Sequence, residues 1–99
     1  KIEYAVRKIE LKSILYVEGQ DNYLKIYHDD GKSILVRMTL KAIMQQLPKS
    51  LFIRVHKSFI ISKSRVTSFR NRIIYLGKLE IPTSALYLQE VNRLFGADM

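Results

Sequence analysis

The chain has 99 residues, 47% hydrophobic and 26% charged, a composition that suits one domain with a modest core and argues against disorder. It lacks cysteine, which excludes a disulfide framework and thiolate chemistry, and no apolar run is long enough to span a bilayer, so a cytoplasmic protein without a membrane partner is expected. Its net charge is +8, and all nine acidic residues lie no later than Asp30 or no earlier than Glu80; between Gly31 and Lys78 stand eleven Lys and Arg and no acid.

An acid-free block of this kind suits a polyanion, nucleic acid above all, although a solvated basic surface would share the composition. The chain opens on Lys1, so a piece of a longer protein is expected; residues 1–99 read as one domain, without linker, repeat or low-complexity tract. The first strands are "ILYVE" (14–18) and "YLKIYH" (23–28), rich in β-branched and aromatic residues. Asp29, Asp30 and Gly31 supply the left-handed tolerance of a tight turn, and "SILVR" (33–37) returns from it. In "TLKAIMQQLP" the apolar residues Leu40, Ile43, Met44 and Leu47 share one helical face, with Thr39 as cap and Pro48 as stop. "RVHKSFIIS" (54–62) begins polar and ends as a buried strand, and "SRVTSF" (64–69) reads as a further short strand. "RIIYLGKLEIP" reads as a hairpin turning at Gly77-Lys78, closed by Pro82. A last helix over "SALYLQEVNRLFG" buries Tyr87, Leu88, Val91, Leu94 and Phe95, capped by Ser84 and stopped by a left-handed Gly96. The fold class is therefore mainly β, with one small middle helix and one C-terminal helix.

Enzyme signatures are missing. The only histidines are His28 and His56; His56 and Ser58 could share a strand face, but no local acid would orient the imidazole. Asp29-Asp30 reads as a turn, and the glycines form no phosphate loop, so neither cofactor nor metal is expected. What remains is a set of donor-rich corners. "EGQDNY" (18–23) offers Gln20, Asp21 and Asn22, and Asn can read an adenine edge. "RVHKS" offers Arg54, His56, Lys57 and Ser58 for bases or phosphates. "SFRNR" offers Arg70 and Arg72, and "PTSALY" opens a helix beside Ser84. Neither helix is basic enough to serve as a groove reader, so any DNA contact would come from loops on a β scaffold.

In their order along the chain, "ILYVEGQDNYLKIY", "TLKAIMQQLP", "FIRVHKSFIIS" and "EIPTSALY" resemble the LytTR family of DNA-binding domains, the output half of many bacterial two-component response regulators. The resemblance covers residues 11 to 95 and is most specific at Glu18…Asn22-Tyr23 and at Phe52-x-Arg54-x-His56-Lys57-Ser58. It implies an elongated set of short antiparallel β-sheets whose inter-strand loops enter successive major grooves of promoter DNA, with no cofactor. It also implies binding to paired sites as a homodimer and an upstream receiver domain. By position it assigns the first reading loop to Asn22 and Tyr23 and the second to His56, Lys57 and Ser58, with Arg54 and Lys63 beside the second as contacts to the DNA backbone. Glu18 would tie the first loop to a nearby basic side chain. The family's third element, a Ser followed by a basic residue, reads Ser84-Ala85-Leu86 here. Either Thr83 and Ser84 touch phosphate alone, or Arg70, Arg72 or Lys78 stands in. The alternative function is a basic β-rich module that binds a protein or an anionic surface without reading DNA sequence. A third is single-stranded nucleic acid stacking on Tyr16, Tyr23 and Tyr27.

Overall fold

The structure, a computed structural model, describes residues 9–96. Among the described residues, eight strands form two antiparallel sheets. The larger contains β1 (Ile14–Gln20), β2 (Tyr23–His28), β3 (Ser33–Arg37), β4 (Phe52–His56) and β5 (Phe59–Ser62), in the order β3-β2-β1-β5-β4. The smaller is a meander of β6 (Ser68–Arg70), β7 (Ile73–Leu76) and β8 (Leu79–Pro82). Helix α1 (Leu40–Gln46) follows β3, and α2 (Ala85–Val91) follows β8. The molecule measures 52 × 26 × 21 Å, elongated as the resemblance implies.

The large sheet carries a core on each face. On one side α1 lays Leu40 and Ile43 over Val17, Leu24, Phe52 and Ile60. On the other, Ile53, Val55 and Ile61 meet Ile74 and Ile81 of the small sheet and Val91 of α2. This explains the unbroken apolar end of "RVHKSFIIS": neighbouring Ile60 and Ile61 point into different cores, so alternation vanishes. Thr39 caps α1, its hydroxyl accepting from the Ala42 amide at 3.1 Å. Gly31 (φ 89°) and Gly77 (φ 66°) take the left-handed backbone their tight turns need, and Gly77-Lys78 is the two-residue connection between β7 and β8.

Several expectations need correction. Residues 64–69 are not one strand: Lys63–Arg65 form a 3-10 turn, and pairing begins only at Ser68. The Arg65 guanidinium bonds the Lys12 carbonyl and Asp29, and the Thr67 hydroxyl bonds the Tyr75 carbonyl and the Gly77 amide, so side chains supplement a single backbone bond to β7, from the Thr67 amide to the Tyr75 carbonyl at 2.8 Å. Ser84 precedes α2 in extended geometry, but its hydroxyl makes no capping bond. Gly96 does not end the helix in a left-handed turn; α2 widens into a π-helical turn over Asn92–Gly96. There Leu94 and Phe95 reach the second core, and a Cβ added at Gly96 would stand 3.1 Å from Asn92 Oδ1 and 3.6 Å from the Phe69 ring. Glu18 meets the Tyr27 hydroxyl, at 3.3 Å, rather than the basic partner expected.

Candidate nucleic-acid interface

Strand β1 runs antiparallel to both β2 and β5, so the β1–β2 turn and the β4–β5 turn open at the same end of the large sheet. Asp21, left-handed at φ 54°, makes the first turn tight and leaves Asn22 exposed beside Tyr23, which is 43% exposed under the Arg37 guanidinium. Lys57 and Ser58 form the second turn, with Lys57 exposed. The two turns touch: the Gly19 amide donates to the Ser58 carbonyl at 2.9 Å. Gly19, Asp21, Lys41, Arg54, Lys57 and Ser58 line a shared shallow concavity.

The remaining corners join this edge through backbone bonds. The Ser84 amide donates to the Val55 carbonyl at 3.0 Å, seating the start of α2 on the base of the second turn. The Thr83 amide donates to the Arg72 carbonyl at 3.0 Å, which attaches the β6–β7 turn next to it. Arg70 and Arg72 are exposed at that turn, and the Arg70 guanidinium lies 4.3 Å from the Tyr75 ring centroid. Asn71 (φ 54°) and Arg72 (φ 65°) are both left-handed, the geometry of a tight twisted hairpin. An arginine held there costs roughly 1–2 kcal/mol where glycine would cost none.

Within the second turn, His56 and Arg54 have structural duties. The Ser58 amide donates to His56 Nδ1 at 3.0 Å, so Nδ1 is unprotonated and Nε2 carries the hydrogen. The ring also lies against Phe59, 5.4 Å between centroids. Arg54 turns its fork inward, Nε to the His56 carbonyl at 3.3 Å and a terminal nitrogen to the Lys57 carbonyl at 2.6 Å. Its guanidinium also sits 5.7 Å from the Tyr87 ring centroid.

Lys63 does not lie beside the second turn. It follows β5 at the far end of the β4–β5 hairpin, about 16 Å from Ser58 at strand rise, and donates to the Lys49 carbonyl. Of the three tyrosines named as stacking platforms, Tyr16 and Tyr27 stack on one another, their rings 4.3 Å apart, and Tyr23 alone stays exposed. Burial, with Tyr27 beside it, pushes the Tyr16 hydroxyl up to about 12. On α2, Arg93 pairs with Glu90 and holds its carboxyl below the usual range, so this helix offers little net positive charge. No group of acids and histidines suited to a metal, and no helix long and apolar enough to cross a membrane, is found among the described residues.

Two residues of this edge escaped the sequence reading. Gly19 matters because α1 passes close above it; a glycine inside a strand is the signal that could have found it. Tyr87 was assigned to the core by helical spacing, and nothing in that spacing marks it as a partner for Arg54.

The sequence profile of the LytTr DNA-binding domain matches residues 4–96. The sensory transduction protein LytT of Bacillus subtilis is 31% identical over 93 residues, covering 87% of this chain and 38% of that protein. The LytT protein of Enterococcus faecalis is 30% identical over 96 residues, 84% of this chain and 40% of its own. A response regulatory protein of Vibrio cholerae is 25% identical over 87 residues, 80% of this chain and 33% of its own. This chain thus spans between a third and two-fifths of the length of these relatives. Among solved structures, the LytTr DNA-binding domain of a methyl-accepting/DNA response regulator from Bacillus cereus superposes with a TM-score of 0.79 at 20% identity, over 89% of this chain and 85% of that one. That likeness concerns the fold, and the profile match extends it to descent: this chain belongs to the LytTR family of DNA-binding domains.

Proposed function

We propose that this domain reads duplex DNA by sequence, its inter-strand turns entering the major groove, as the output domain of a two-component transcriptional response regulator. The observation that carries the reading is the edge itself: donor-rich turns far apart in sequence are joined by the Gly19–Ser58, Ser84–Val55 and Thr83–Arg72 bonds, within a chain rich in cations. An isolated basic surface needs no such joining. Lys57 reaches a base edge, the His56 Nε2–H donates to a base or phosphate oxygen, and Asn22 addresses an adenine. Arg70, Arg72 and Ser84 hold phosphates, standing in for the absent basic residue at Ala85. Lys63 lies too far along the hairpin to share this edge. The relatives' names, response regulatory and sensory transduction proteins, support a regulatory setting for the longer protein. In that setting the domain works in the cytoplasm, without cofactor or catalysis, tethered to a receiver domain and bound to paired promoter sites as a homodimer.

Alanine substitution tests the second turn. On a duplex enriched by binding, Lys57→Ala should cost roughly 1–3 kcal/mol and relax the preference at one base pair. If Lys57→Ala and His56→Ala both keep wild-type affinity for that duplex, the second turn does not read DNA.

A further inference from the structure

We infer that Arg54 is a positioning residue, the clamp that sets the shape of the second turn, and not one of its phosphate contacts. The inference rests on the DNA-binding reading only for what the turn is shaped to do. The ladder register shifts between Arg54 and His56, so regular pairing does not define the chain through this bend. Other donors do. The four consecutive carbonyls from Val55 to Ser58 accept, in order, from the Ser84 amide, Arg54 Nε, the Arg54 terminal nitrogen and the Gly19 amide. Arg54 supplies the two central bonds, at 3.3 and 2.6 Å, to the carbonyls on either side of the Lys57 Cα. Fixing both peptide planes fixes the direction in which the Lys57 side chain leaves the backbone. The Tyr87 ring, 5.7 Å from the guanidinium, backs the fork and relates the turn to α2.

The planar guanidinium meets the two carbonyls with two different nitrogens held at a fixed separation and direction. A lysine keeps the charge but is a point donor on a flexible stem, so Arg54→Lys separates the two roles. Phosphate accepts lysine readily; the clamp does not. Cognate and scrambled duplex affinities across a salt series, together with amide hydrogen exchange at Ser58, provide the test. Arg54→Lys should lower the cognate-to-scrambled ratio at least tenfold and leave the salt slope unchanged. It should also speed Ser58 exchange at least tenfold while the second core keeps its protection. Tyr87→Leu should move both readouts the same way by a smaller amount, and decides the matter if Arg54→Lys does not fold. Wild-type discrimination and wild-type Ser58 exchange in a folded Arg54→Lys would overturn the clamp, as would both in Tyr87→Leu where only that variant folds. If the wild-type chain discriminates no duplex, the DNA reading fails, and the exchange arm still decides the clamp by itself.

Discussion

Gly19→Ala tests whether α1 and the two turns form one packed unit. Gly19 lies on β1 just before the first turn, with ordinary strand backbone, so space rather than conformation demands glycine there. An added Cβ would stand 2.6 Å from Leu40 Cγ and 3.0 Å from its Cδ1. Carbon atoms rest at about 3.5–4.0 Å, so Leu40 must retreat by about 1 Å. It has nowhere to go, being 6% exposed and packed in the first core. Overpacking of this kind costs roughly 1–3 kcal/mol, and replacing a strand glycine returns roughly 0.5–1 kcal/mol. The net loss should be about 1–2 kcal/mol, seen in urea denaturation and as a Tm lower by about 4–8 °C for each kcal/mol. Leu40→Ala alone should cost about 2–5 kcal/mol through its cavity, and the double variant about 1 kcal/mol or more less than the sum. Because the Gly19 amide holds the Ser58 carbonyl, Gly19→Ala should also blunt duplex discrimination. Wild-type stability in Gly19→Ala, or strict additivity with Leu40→Ala, would refute the close approach.

Two further substitutions separate shape from contact. His56→Asn can keep an acceptor for the Ser58 amide but loses the outward Nε2–H, while His56→Gln reaches outward and gives up the inner bond. By thermal melting His56→Asn should be the more stable, and by duplex affinity both should fall below wild type; equal melting of the two would refute the inner bond. Arg72→Gly relieves a left-handed arginine, so it should stabilise the domain by up to about 1 kcal/mol in urea. It should also weaken binding to all duplexes alike and lower the salt slope by about 0.9. Unchanged binding would remove Arg72 from the interface.

Much of the fold is written locally. The strands β1 to β3 follow from β-branched and aromatic runs broken by Asp-Gly chemistry, and α1 from its spaced apolar face with a Thr cap. The stretch from 64 to 69 misleads because its apolar residues resemble a strand while Arg65 and Thr67 spend their side chains on neighbouring backbone. At the C-terminus, a terminal glycine suggested a left-handed stop, but Gly96 has no left-handed backbone, and the helix ends instead in a π-helical turn whose Leu94 and Phe95 pack on the second core. The candidate interface was legible as separate turns, since polar donors interrupting apolar runs stand out in any sequence. Their union was not, because long-range backbone bonds such as Gly19 to Ser58 leave no composition signal. Arg54 shows the same limit: its type suggests phosphate, and only its geometry turns the fork toward carbonyls.

The central claim is that this edge reads sequence in duplex DNA. Selection of bound duplexes from a random pool at near-physiological salt tests it most directly. The account predicts enrichment of a pair of short motifs about one helical turn, roughly 10–10.5 base pairs, apart, with the preference lost in Lys57→Ala. Retention of the pool without enrichment, or enrichment that Lys57→Ala leaves intact at every position, would contradict it.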